Sequence, residues 1–141
     1  MSPIVVPFAV PVAEAFAYLA DPRNRPEWQS SLKSIEDLHL IDEDDPTGKG
    51  VTWVDVTVVP GVRPRMRTTN SQPPLRWAET GDFGPFAADL TLTFEPVGEQ
   101  ACRVLVDFRV RALGLGPIVS RVSRRPVADD VRRAAKLLAQ R

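Results

Sequence analysis

The sequence holds few of the residue types that usually carry chemistry. Its 141 residues include one cysteine, one histidine, one tyrosine and two methionines. The lone Cys102 excludes an internal disulfide and fits a reducing compartment, so the expected location is cytoplasmic. One histidine, with no H-E-x-x-H and no C-x-x-C, leaves no metal-ligand cluster of the usual spacing. His39 itself, in DLHLID, reads as an exposed strand residue. No G-x-S-x-G surrounds any serine, and no glycine-rich phosphate loop is present. Gly114-Leu115-Gly116-Pro117 reads as a flexible entry into a helix rather than an anion site. No metal and no cofactor are therefore expected.

Charge of either sign is also missing in excess. Eighteen basic residues balance eighteen acidic ones. A nucleic-acid partner, which favours a basic surplus, is not expected. The basic residues of the last third, Arg121, Arg124, Arg125, Arg132, Arg133, Lys136 and Arg141, are interrupted by Asp129 and Asp130 and read as a solvated helix face. No apolar run reaches the roughly 18 residues of a spanning helix, so no integral membrane segment is expected. The apolar start, MSPIVVPFAVPVAEAFAYLA, lacks a basic leader and carries Glu14 and three prolines. It reads as a strand followed by a helix.

Proline is plentiful, at 14 residues, and punctuates the chain. The length suits one domain, residues 1–141. SPIVVPFA (2–9) reads as a strand whose prolines suit an edge or a bulge. VAEAFAYLA (12–20) reads as a helix with Val12, Phe16 and Leu19 on one face. Pro22 stops it, and a second short helix is expected over about Pro22–Leu32, with Asp21 placed to cap its first N–H groups. Strands are expected at 34–41, 51–59, 63–70, 75–83, 86–94 and 102–113, at hairpin spacing. The acidic run IDEDD (41–45) reads as a solvated loop. The chain returns to helix over roughly Pro117–Ala139, with Ile118, Val122, Val131, Ala135 and Leu138 as its apolar stripe. Pro126 is expected to break or bend that helix.

Alternation assigns faces. Cys102, Val104, Val106, Phe108 and Val110 share one side of the last strand, and Ala88, Leu90, Leu92 and Phe94 one side of the strand before. Such period-two patterns describe a sheet with one covered and one wet face. The same rule turns Leu75, Trp77, Glu79 and Phe83 inward. Neither parity wins in VTWVDVTVV, so Trp53 and Asp55 travel together to an undecided face. An outward Asp55 would meet Arg63, Arg65 or Arg67 across the hairpin.

The pattern VPFAVPVAEAFAYLADPRNRPEW, followed by GKGVTW, by Pro-Pro-Leu at 73–75 and by the long final helix, resembles the START-related polyketide cyclase/dehydrase and lipid-transport superfamily. The resemblance spans essentially the whole chain. It implies the helix-grip fold: an α+β architecture in which a seven-stranded curved antiparallel sheet wraps a long C-terminal helix, with two short helices after the first strand. It also implies a cavity between sheet and helix that takes a hydrophobic small molecule such as a lipid, polyketide or aromatic compound. The superfamily shares no catalytic signature.

The expected lining is Trp28, Trp53, Met66, Trp77, Glu79, Phe83, Phe86, Leu90, Phe94 and Phe108. Large apolar rings and an adaptable thioether suit such a wall. Tyr18 is placed near the cavity mouth, or with a wet ring edge. Glu79 is the first catalytic candidate, because a carboxyl on a covered face has a raised pKa and can exchange protons. Asp55 is the second. Binding or transport is the leading function. A cyclase/dehydrase-type enzyme is the alternative, and a protein-interaction module with a filled core the third. A buried carboxyl in the pocket favours the enzyme and an all-apolar lining the carrier.

Overall fold

The computed structural model describes residues 2–111 and 116–141, and the side chains of all of these except 116–125. Strand β1 spans Ile4–Phe8 and helix α1 Val12–Leu19, followed by a 3-10 turn at Pro22–Asn24 and helix α2 at Arg25–Trp28. Strands β2 (Leu32–His39), β3 (Thr52–Thr57), β4 (Arg65–Gln72), β5 (Arg76–Phe83), β6 (Phe86–Pro96) and β7 (Cys102–Arg111) come next, and α3 runs over Gly116–Ala139. The strands form one antiparallel sheet in the order β1-β7-β6-β5-β4-β3-β2. Consecutive hairpins build β2 to β7 as a meander, and β1 closes onto β7. Pro7 therefore sits on an edge strand, where its missing N–H costs no interior ladder bond. This is the helix-grip α+β architecture.

Alternation places the inner face as the sequence suggests. Cys102, Val104 and Val106 of β7 and Leu90, Leu92 and Phe94 of β6 are buried, while Arg103 and Arg109 are exposed. Helix α1 covers one end with Phe16 and Leu19, and the Phe16 and Phe94 rings meet at 5.2 Å between centroids. Helix α3 packs on β7, β1 and α2. Its buried side chains are Ala128, Val131, Ala134 and Leu138. Their three- and four-residue spacing makes one stripe, centred on Ala134 rather than the expected Ala135. Ile118 and Val122 of the expected stripe lie outside the described side chains, as do Arg121, Arg124 and Arg125.

Several expectations are corrected. Leu75 and Phe83 are exposed, at 51% and 41%. Leu75 lies just before β5 and Phe83 ends it, where the covering layer has run out, so parity no longer decides burial. The α3 helix is one element with Pro126 inside it, not two pieces. The second short helix is a 3-10 turn joined to a four-residue α turn, and it ends at Trp28. Asp21 does cap it: the carboxylate accepts the Arg23 backbone N–H at 3.0 Å. Tyr18 is buried, and its hydroxyl donates to Glu27 Oε1 at 2.9 Å. Burial and the Glu27 carboxylate push that hydroxyl's pKa up. It stands away from the cavity. The entry at Gly114-Leu115 lies outside the described residues.

Candidate functional site

A cavity of about 450 Å³ lies between the inner face of the sheet and α3. It falls within the usual size range of small-molecule sites. The register explains how it is lined. Met66, Gly81, Ala88 and Val110 face one another in a row across β4 to β7, and Glu79, Leu90 and Phe108 form the next row. Met66, Leu90, Phe108, Val110 and, from α3, Val127 give it apolar walls. Phe83 and Phe86, paired at the tip of the β5–β6 hairpin, are lining residues that stay 41% and 46% exposed, so they form its rim.

The inner end is polar. Arg25, Asp55 and Glu79 all line the cavity and are 3%, 4% and 4% exposed. Arg25 comes from α2, where Pro22 and Pro26 hold the chain in two tight turns under the sheet. Its Nη2 forms an ion pair with Glu79 Oε1, and its Nη1 donates to Gln29 Oε1 at 2.8 Å. The guanidinium lies 4.9, 5.9 and 5.6 Å from the ring centroids of Trp28, Trp53 and Trp77. Indole faces attract cations, more strongly once water is removed. Desolvation still lowers the Arg25 pKa to about 10, with Asp55 and Asp130 pulling the other way. It remains charged at neutral pH.

Asp55 is fixed by its neighbours on β3 and β4. Its backbone N–H donates to Pro64 O at 3.0 Å, and its Oδ1 accepts the Trp53 indole N–H at 2.9 Å. Its face is thus settled as inward, with Trp53, and it makes no pair with Arg63, Arg65 or Arg67. Burial raises its pKa above the usual carboxylate range, and Arg25 and the Trp53 N–H offset only part of that. Asp55 is therefore a group suited to hold and exchange a proton. Glu79 also faces inward, as its parity implies. Its carboxylate is the ion-pair partner of Arg25.

Of the expected lining residues, Trp28, Met66, Glu79, Phe83, Phe86, Leu90 and Phe108 meet at the cavity. Trp53, Trp77 and Phe94 do not line it. They are 1%, 0% and 1% exposed and form solid core, the two tryptophans beneath Arg25. The residue missed in the sequence is Arg25. Arg23, two positions earlier, is exposed and pairs with Asp21 at 2.8 Å. Nothing in PRNRPEW separates these arginines by pattern, because so short a turn has no periodicity. The flanking prolines and Trp28 are the available signal. Asp130 of α3 was also missed; it lines the cavity and accepts Ser30 Oγ at 2.9 Å.

Gly81 sits close against Met66 across the β4–β5 pair. A Cβ there would stand 2.6 Å from Met66 Sδ. The thioether is flexible enough to move, and the open direction is the cavity. Gly81→Ala is expected to cost about 1–3 kcal/mol while narrowing the cavity. A crystal structure with Met66 in its present rotamer and the volume unchanged would contradict this.

Among the described residues, no group of three His, Cys, Asp or Glu side chains is arranged to hold a metal ion. Nor is any described helix long and apolar enough to cross a membrane.

Comparison with solved structures finds the same architecture repeatedly. A START superfamily protein from Mycobacterium smegmatis has a TM-score of 0.74 at 14% identity, covering 96% of each chain. The di-domain ARO/CYC StfQ from the steffimycin biosynthetic pathway has a TM-score of 0.71 at 19% identity, with all of this chain matching 46% of that one. Truncated norcoclaurine synthase from Thalictrum flavum has a TM-score of 0.65 at 13% identity, covering 100% of this chain and 98% of that one. At these identities the likeness shows the fold alone. No curated protein matches in sequence. The family model described as polyketide cyclase / dehydrase and lipid transport matches residues 4–141, and the chain belongs to that family.

Proposed function

We propose that the protein binds a hydrophobic small molecule in the cavity between sheet and α3, with its apolar body along the walls and a polar end at the inner carboxyls. The observation that carries this is the polarity gradient of a 450 Å³ cavity: aromatic rim, aliphatic and thioether walls, charged inner end. Ligand sites commonly pair apolar area for affinity with a few polar groups for orientation. A protein-interaction module would instead have filled this space with side chains.

Acid–base catalysis on the bound molecule is the second reading, and Asp55 favours it. A carboxyl with a raised pKa at the wall of an apolar cavity can protonate a carbonyl or take a proton beside one, as cyclisation or dehydration requires. Glu79 and Arg25 would then hold the local field rather than carry the proton.

Native mass spectrometry of the purified protein tests the binding reading. Retained hydrophobic mass is expected on the parent protein and not on Ala88→Trp, whose indole would occupy the middle of the cavity. Equal occupancy of a correctly folded Ala88→Trp would remove the assignment to this cavity.

A further inference from the structure

The charges lining the cavity do not balance. Among the described residues, Asp55, Glu79 and Asp130 supply three carboxyl groups against one guanidinium, that of Arg25. Two of the three guanidinium nitrogens are engaged, Nη2 on Glu79 and Nη1 on Gln29, while the buried Nε has no partner among the described residues. Asp130 is engaged too, its Oδ1 accepting the Ser30 N–H at 3.2 Å and the Ser30 hydroxyl. Asp55 differs from both: it receives the Trp53 indole N–H and forms no ion pair among the described residues. It is an almost fully buried carboxyl at the inner end of an apolar cavity.

We propose that the ligand carries a protonated amine, seated on the Asp55 carboxylate with its apolar body along Met66, Leu90 and Phe108. This rests on the cavity being a small-molecule site. A cation supplies the charge missing at Asp55 and turns a neutral hydrogen bond into a charge-assisted one. A carboxylate or phosphate would gain nothing from Asp55 and would face the carboxyl groups of Glu79 and Asp130 as well. A neutral hydroxyl could bond Asp55 but would form only a neutral hydrogen bond, weaker than a charge-assisted one.

Without ligand, burial favours the protonated form of Asp55, and Arg25 offsets that only in part. The amine then replaces that proton. Its affinity rises as pH rises through the titration of Asp55, with Arg25, Glu79 and Asp130 as the charged groups facing the site among the described residues.

Isothermal titration with naphthylmethylamine, naphthylmethanol and naphthoic acid tests this on the intact protein. Near neutral pH the amine is expected to bind roughly tenfold or more tighter than the alcohol, and the acid weakest. Asp55→Asn should bring amine and alcohol within about twofold of each other. Should that variant fail to fold, the pH series on the parent protein decides instead: amine affinity climbs with pH and alcohol affinity stays level. An alcohol or acid that binds as tightly as the amine overturns the cationic ligand and leaves the apolar cavity site intact. Failure of all three to bind overturns both.

Discussion

Replacing Arg25 with methionine is expected to destabilise the protein by about 3–5 kcal/mol, the cost of leaving a buried charge without its partner. Glu79 would keep its carboxylate at 4% exposure with no cation beside it. The three indoles around the guanidinium would face a thioether instead. A second substitution separates this cause from lost packing. In Arg25→Met with Glu79→Leu, no charge is stranded, and apolar side chains of similar length fill the space. Replacing a whole buried pair is often neutral or stabilising. The double variant should therefore recover most of the loss. Urea unfolding at constant m-value measures both. A single variant within about 1 kcal/mol of the parent, or a double variant worse than the single, would show that the pair does not govern the stability of this region.

The second large effect is one of sign. Asp55→Asn should stabilise the protein at neutral pH, although it removes a charge beside an arginine. Burial raises the folded-state pKa of Asp55, with Arg25 and the Trp53 indole opposing and not cancelling it. The folded state therefore holds the proton to higher pH than the unfolded chain does. Its contribution is fully present below the unfolded pKa of about 3.9 and is lost as pH rises through the folded one. Asparagine keeps an oxygen for the Trp53 N–H and cannot ionise. Above the folded pKa the variant should gain about 1.4 kcal/mol for each unit by which the pKa is raised. The difference in stability between variant and parent, followed from about pH 4 to 8, should grow with pH. A flat or shrinking difference would mean that Arg25 already neutralises Asp55. The amine preference and the proton-transfer reading would then both lose their basis.

The fold was legible because it rests on repeated signals. Seven strands at hairpin spacing and period-two faces in β6 and β7 can each be read from many residues at once. The site rests on single residues, and these were legible only in part. Glu79 sat in a clean alternation, flanked by Trp77 and Gly81 on the same face, so its direction could be read. Asp55 could not be oriented, because VTWVDVTVV is apolar on both faces. The local signal vanishes when both sides of a strand carry β-branched residues. Arg25 was invisible for a different reason. Its burial depends on a partner 54 residues away and on three indoles, two of them from strands β3 and β5. An arginine in a turn is by default a surface residue, and only the assembled sheet reverses that. Phe83 marks the opposite failure. Its parity was right, but the strand outruns the layer that covers it.

The sheet is open, with β1 and β2 at its two ends, and each end departs from regular strand geometry. Pro7 removes one N–H from β1. On β2 the pairing with β3 shifts register between Glu36 and His39, and Asp37 sits there with φ 52. A regular free edge is a template on which the edge of another molecule can add as one more strand. Here a docking strand would meet a missing donor at one side of the molecule and a displaced ladder with a charged residue at the other. Concentrated or partly unfolded protein is thus discouraged from growing end to end into longer sheets. Straightening Asp37 or restoring a donor at position 7 would remove that protection without touching the cavity.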